Sequence, residues 1–234
     1  LSDVSNLHHL EQARRDLFAN ISHELRTPLT SISLLLDMLV TREQSADTIS
    51  ALEKMTTETD TLKEMAQELL DISLIESGRF AIKLDSANAV TLIMPTIERL
   101  QPQADLKSIQ FHMTECTDVP VWADADQVQR VLSNIFHNAI KFTPSDGSVI
   151  VSAIAEDECV RIEIQDSGPG IHPDDLPRIF ERFFRADRTR KGAGTGLGLA
   201  IANHVVQAHG GEIWAENAPE TGAIISFTLL RADK

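Results

Sequence analysis

The chain has 234 residues, 42% hydrophobic and 24% charged, with a net charge of −14. That balance excludes wholesale disorder, a collagen-like fibre and a disulfide scaffold. No apolar run reaches the ~18 residues that a membrane helix needs. An acidic chain offers no basic face to a phosphate backbone, so nucleic acid is not an expected partner.

Two further features bear on context. Cys116 and Cys159 are isolated and match no metal spacing, which reads as free, buried or half-buried thiols in a reducing compartment. There is no start methionine and no signal-peptide pattern, so the residues read as a cytoplasmic fragment of something longer.

Residues 1–79 hold one proline, Pro28, and one glycine, Gly78; the other eight prolines and ten glycines fall in 80–234. This shift places a domain boundary after residue 79, with Glu76-Ser-Gly-Arg79 as a helix stop. The first part reads as two helices. Leu7, Leu10, Leu17, Ile21, Leu25, Ile32, Leu36 and Leu39 recur at threes, fours and sevens, and so do Leu52, Met55, Leu62, Met65, Leu69 and Ile72. Thr41–Asp47 is the polar turn between them. A helical hairpin has too little surface to bury both stripes, so the economical solution is a homodimer forming a four-helix bundle. A plain dimerisation coiled coil would carry the same stripe.

The second part alternates between strand and helix signals. Ala87–Leu106 reads as a helix that Pro102 bends or ends early. Ile109–Glu115 and Val121–Ala123 read as short strands, and Asp126–Phe142 as an amphipathic helix. Ser148–Ala155 and Cys159–Gln165 form a hairpin, Thr195–His209 a helix, and Gly211–Glu216 and Ala223–Leu230 strands. The pattern predicts an α+β two-layer sandwich.

Candidate chemistry lies at four places in this part. Asp166-Ser-Gly168-Pro-Gly170-Ile171 follows an apolar strand; the glycines admit close backbone approach, and the carboxylate can accept from an exocyclic amine. Alone it equally suits an ordinary turn. Gly192-Ala-Gly194-Thr195-Gly196-Leu197-Gly198-Leu199 leads into a helix, where backbone N–H groups make an anion site. It fits neither a Walker loop nor a dinucleotide fingerprint. Six of the 14 cations from Ala81 onward crowd into residues 178–191 beside that loop, which favours a polyphosphate ligand over a merely solvated face. Asn134, Asn138 and Lys141 share one helix face. Amide oxygens suit Mg²⁺, which also leans on substrate phosphates, although taken alone the pair reads as a solvated face.

In order, Asn134-(x)3-Asn138-(x)2-Lys141, Asp166-x-Gly168-x-Gly170, Phe180-(x)2-Phe183-Phe184 and Gly194-x-Gly196-x-Gly198 resemble the N, G1, F and G2 boxes of two-component sensor histidine kinases. That resemblance implies the Bergerat ATP-binding fold, shared with heat-shock-90 chaperones and type II topoisomerases. It implies that Asn138 and Asn134 hold Mg²⁺ and that Asp166 accepts from the adenine amine. Gly168, Gly170 and Ile171 would back the base. Lys141 and Arg185 would contact phosphates. Gly194, Thr195, Gly196, Leu197 and Gly198 would cradle the phosphate chain, with residues 186–193 as a mobile lid. Phe142 stands where many members carry tyrosine, which keeps the stacking ring without the hydroxyl.

Phe18-Ala-Asn-Ile-Ser-His23-Glu24-Leu-Arg-Thr27-Pro28-Leu resembles the H box of the same kinases. His23 is two residues from both Ile21 and Leu25, about 200° around the helix from each, and so faces solvent. An accessible imidazole beside Glu24 suits a nucleophile with an orienting base. The other histidines, His8, His9, His112, His137, His172, His204 and His209, carry no such setting. Pro28 removes a helix N–H and clashes with the Glu24 carbonyl, loosening the turn next to His23. Thr27 shares the face of His23; the resemblance implies that it positions a water against the partner's phosphoaspartate.

The resemblance therefore implies ATP-dependent autophosphorylation of His23, transfer to an aspartate of a response-regulator receiver domain, and regulator phosphatase activity. Gly78–Phe80 would be the hinge. Any membrane anchorage would come from segments outside these residues. Two alternatives stand beside it. An ATPase clamp of the same fold would carry a glutamate base where Asn134 stands. A degenerate signalling scaffold is disfavoured by the intact boxes, while a phosphatase-dominant protein stays open beside the kinase.

Overall fold

The structure is a computed structural model that describes residues 28–36, 45–76, 80–186 and 195–233. The chain divides into two compact units. One contains the helical segment up to Glu76 together with Thr195; the other contains residues 80–186 and 196–233.

In the helical unit, residues 28–36 form helix α1 and Ser45–Glu76 form helix α2. Helix α2 begins inside the span expected to be turn, because Ser45–Asp47 are already helical. At ~1.5 Å per residue its 32 residues run about 48 Å. Two of its threonines are accommodated by back-bonding to the preceding turn: Thr56 Oγ1 donates to Leu52 O (3.0 Å) and Thr59 Oγ1 to Met55 O (2.7 Å). Met65 and Ile72 are buried, yet Leu29, Leu34, Leu36, Leu52, Leu70 and Leu74 are exposed. These leucines face solvent in the single chain.

The second unit is a five-stranded mixed sheet with helices, plus a small two-stranded sheet. Its elements are β1 (Asp85–Asn88), α3 (Ala89–Asp105), β2 (Gln110–Cys116), β3 (Pro120–Ala123), α4 (Ala125–Phe142), β4 (Ser148–Ala155), β5 (Cys159–Asp166), α5 (Gly198–Ala208), β6 (Ile213–Asn217) and β7 (Ala223–Leu230). The sheet order is β2-β4-β5-β7-β6, with β2–β4 parallel and the remaining pairs antiparallel. β1 pairs with β3.

Strand alternation fixes which face is buried. Register aligns Cys116 with Ala153, Ala153 with Ile162, Ile162 with Phe227, and Phe227 with Ile213. Val160, Ile162 and Ile164 are buried while their neighbours Arg161, Glu163 and Gln165 are only partly so. Helices α3, α4 and α5 complete the α+β two-layer sandwich, with the fully buried Leu92, Leu132, Phe136 and Ile201 in the shared core.

Helix α3 starts two residues after the expected Ala87, because Ala87 and Asn88 belong to β1, and it runs to Asp105, so Pro102 does not end it. Pro95 and Pro102 are seven residues apart and share the exposed face, away from the buried stripe of Leu92, Ile93, Ile97 and Leu100. A lost N–H costs least on the solvent side, where helices that curve around a core already lengthen their hydrogen bonds. The start is set by Asn88, whose side chain accepts from Val90 N (2.8 Å).

His209 proves to be a satisfied core residue. Its ring is buried; Nδ1 lies 2.7 Å from Val205 O and Nε2 accepts from Asp124 N (3.0 Å). This tautomer ties the end of α5 to the start of α4. Cys116 and Cys159 are free and half-buried, and burial raises both thiol pKa values.

Candidate nucleotide-binding site

The site is built where β5 ends. Asp166 is its last residue, and the chain turns immediately. Asp166 Oδ1 accepts from Gly168 N (2.7 Å) and, more weakly, from Ala223 N (3.4 Å). These bonds anchor one carboxylate oxygen. Burial raises the Asp166 pKa, and the two backbone N–H groups offset part of that rise. A half-buried carboxylate at a strand end, with one oxygen held by the backbone, is an acceptor poised for a ligand donor.

Backbone crowding explains the glycines here. A Cβ on Gly168 would stand 2.7 Å from Asp166 Oδ1 and 2.9 Å from Phe142 O. Gly170 has φ +75°, a conformation that L side chains resist. Ser148 N donates to Ser167 Oγ (2.9 Å) and Ser167 N to Ser148 O (3.0 Å), tying the turn to β4.

Two residues of this turn's support escaped sequence reasoning. Asn217, at the end of β6, accepts from Ile171 N and donates to Ile171 O, both at 2.7 Å. Its amide thus clamps the turn as a paired strand would. Gly222 packs so closely beneath Asp166 that a Cβ would fall 1.7 Å from Asp166 O. Neither belongs to a recognisable motif, and both act across long sequence separations.

Helix α4 supplies the facing wall. Its N-cap is Asp124, whose side chain accepts from Gln127 N (3.2 Å) and from Lys83 N (2.9 Å). Asn134 Nδ2 donates to Gly198 O (2.9 Å), which fixes the orientation of the amide. Asn138, one turn on, is half-buried. Lys141 and Phe142 are exposed, and Lys141 Nζ lies 5.2 Å from the centre of the Phe142 ring. Among the described residues no cluster of three His, Cys, Asp or Glu could hold a metal ion. A metal here would therefore depend on amide oxygens and on the phosphates of its ligand, a donor set that Mg²⁺ accepts.

The third wall joins the phenylalanine and glycine motifs. Phe183 N donates to Gly196 O (2.9 Å), and a Cβ on Gly196 would meet Phe183 C at 2.8 Å and Phe184 O at 2.9 Å. Both residues have positive φ, +62° for Phe183 and +73° for Gly196. That left-handed step also explains why α5 starts at Gly198 and not at Thr195 as expected. Leu197 is fully buried, so its side chain anchors the loop in the core. Arg178 stacks over the Phe184 ring at 4.7 Å. Arg185 is half-buried.

Asn134, Asn138, Lys141, Phe142, Asp166, Gly168, Gly170, Ile171, Arg185, Gly196, Leu197 and Gly198 all fall in the second unit. Thr195 groups with the helical unit. His23, Glu24, Thr27 and Gly194 lie outside the described residues, as do Gly78 and the stretch 187–194.

Two family models match parts of the chain. Residues 123–233 match the family model "Histidine kinase-, DNA gyrase B-, and HSP90-like ATPase". Residues 13–78 match "His Kinase A (phospho-acceptor) domain". The sensor histidine kinase WalK of Bacillus subtilis is 36% identical over 233 residues, which is 97% of this chain but 38% of WalK. The chain thus spans well under two thirds of that relative's length. Among solved structures, a mycobacterial sensor histidine kinase, MprB, is 31% identical with a TM-score of 0.58, covering 64% of this chain and 98% of that one. Histidine kinase ThkA, solved in complex with the response regulator protein TrrA, shares the fold at a TM-score of 0.69 and 24% identity, covering 93% of this chain and 61% of that one.

Proposed function

Because the chain belongs to the sensor histidine kinases, we propose that it is the catalytic core of one, with residues 1–79 as dimerisation and phospho-acceptor domain and 80–234 as ATP-binding domain. The observation that carries this is Asp166. It is a partly desolvated carboxylate at the end of β5, held by Gly168 N and Ala223 N, and set in a turn shared with the end of α4.

In this reading the adenine amine donates to Asp166, and Phe142 stacks on the base beside Gly168, Gly170 and Ile171. Lys141 and Arg185 contact phosphate oxygens. The loop of Gly194, Thr195, Gly196, Leu197 and Gly198 offers backbone N–H groups to the phosphate chain. Asn138 and Asn134 would hold Mg²⁺, which supplies charge neutralisation on the phosphates when bound. A His23 imidazole nitrogen attacks the γ-phosphorus, the bond to the β–γ bridging oxygen breaks, and ADP leaves. Glu24 orients the imidazole and takes its proton. Most of the rate comes from positioning and from charge balance.

The phosphoryl group then passes to an aspartate of a response-regulator receiver domain, and Gly78–Phe80 is the hinge. A homodimer through residues 1–79 would cover the leucines exposed on α1 and α2. No helix among the described residues is long and apolar enough to cross a membrane. A cytoplasmic location for this core, with membrane anchorage from other segments, fits the family. Incubation with γ-labelled ATP tests the proposal: label on the protein supports it, free phosphate alone would make the chain an ATPase, and neither would make it a scaffold.

Two variants separate the parts. Asn138→Ala should weaken nucleotide binding about tenfold with Mg²⁺ and little without it, a loss on the scale of one ligating group. Calorimetry with and without chelator reads this directly, and an equal loss in both conditions would remove Asn138 from the metal site. Thr27→Ala should leave autophosphorylation within about twofold while slowing dephosphorylation of the regulator about tenfold or more, since only the latter needs an oriented water. Parallel loss of both rates would make Thr27 a spacer beside Pro28.

A further inference from the structure

Lys107 stands in the turn between α3 and β2, outside every motif considered so far. Its ammonium donates to three backbone carbonyls: Ile140 O at 2.7 Å, Lys141 O at 3.0 Å and Thr143 O at 2.8 Å. All three lie in the last turn of α4 or immediately after it. Carbonyls at a helix C-terminus have no partner within the helix, and they carry the negative end of its dipole. Of that last turn, Ala139 O is already taken by Thr143 N (2.9 Å). An ammonium has three donors and no acceptor, and all three are used here.

The base of the lysine is held as firmly as its tip. Asp146 N donates to Lys107 O (2.9 Å) and Gln110 N to Gly147 O (3.0 Å), so the turn and the loop after α4 form one clasp. Ser108 and Asp146 both adopt positive φ, +55° and +63°, to make it. The one carbonyl left between those that Lys107 holds is Phe142 O, and this is the oxygen against which Gly168 packs.

We infer that Lys107 is a positioning residue for the nucleotide: by holding the end of α4 it sets where Phe142 stands against Gly168 and Asp166. It touches no reacting atom, and the role rests on the nucleotide reading above. Losing it would disturb Phe142 and Lys141, read above as meeting the base and the phosphates, and not the amides of Asn134 and Asn138, so the effect is independent of the metal.

The test is binding of ADP to the whole chain by calorimetry, with and without Mg²⁺, beside KM and kcat for autophosphorylation and a thermal melt. Lys107→Met keeps the stem and removes the donors. Its Kd for ADP should rise about tenfold, by the same factor with and without Mg²⁺, the scale of losing a charged hydrogen-bonding group. The KM for ATP should rise likewise while kcat stays within about twofold. A lowered melting temperature with unchanged Kd and KM would reduce Lys107 to a purely structural role and overturn the inference. If Lys107→Met does not fold, Lys107→Arg decides: a planar fork cannot aim three donors at carbonyls grouped around one ammonium. Its Kd should rise several-fold, and wild-type affinity would overturn the role. A wild-type chain that binds no ADP would overturn the nucleotide reading itself, and this role with it.

Discussion

Replacing Asp166 by asparagine should abolish most nucleotide binding while leaving the ATP-binding domain at least as stable as before. The two effects have one cause. The carboxylate sits in a setting that burial makes unfavourable for charge, so its pKa is raised. Between the ordinary carboxylate value and the raised one, the folded state binds more protons than the unfolded state. Stability from this group therefore falls as pH rises through that window, and above it the cost is fully present. Asparagine removes that cost. Its Oδ1 can still accept from Gly168 N and Ala223 N, the bonds that shape the turn. Its Nδ2, however, would face the adenine amine with a donor. Losing a charged hydrogen bond and opposing two donors should cost roughly 3 kcal/mol, on the order of a hundredfold in affinity. Calorimetry with ADP measures the first effect, and thermal melts across the acid-to-neutral range measure the second. A variant that binds ADP normally, or that melts several degrees lower at neutral pH, would contradict this account. GTP should compete poorly with ATP for the same reason, since its exocyclic carbonyl would confront the carboxylate.

A His23→Ala variant should incorporate no phosphate at all while binding ADP as the wild type does. The imidazole is the nucleophile in this scheme, and no neighbouring side chain can replace it: Glu24 and Thr27 would have to form a different kind of bond. The nucleotide residues proposed above all fall within 80–234, far from His23 along the chain, so affinity should stay within about twofold, the ordinary scatter of a distant substitution. The wild-type product should be acid-labile and alkali-stable, as expected for phosphorus bonded to an imidazole nitrogen. Acid-stable label, or label that survives in the variant, would place the acceptor elsewhere.

Local pattern was enough for much of the fold. The strands Ser148–Ala155 and Ala223–Leu230 have the bounds that their composition predicts. Each is a run of mostly apolar residues, rich in β-branched ones and preceded by turn residues, which is the local signature of a buried strand. The amphipathic stripe of α4 was equally legible, to within one residue at its start. β1 was not. Asp85-Ser-Ala-Asn88 has no apolar alternation and exists as a strand only because it pairs with β3. Its edge hydrogen bonds, not its own residues, make it one.

The candidate site divides along the same line. Amino-acid order alone determined which residue types lie at which spacing: the amides on α4, the carboxylate after an apolar strand, and the glycines ahead of a helix. Tertiary structure decided what those residues are free to do. Asn134 spends its amide nitrogen on Gly198 O, so only its oxygen is left to meet anything else. Leu197 turns from the loop into the core. Asn217 reaches 46 residues back to Ile171, and Lys107 reaches 33 to 36 residues forward to the end of α4. Such partners cannot be read from spacing, because a hydrogen bond depends on atoms a few ångströms apart, and separation along the chain says nothing about that until the sheet and helices have packed.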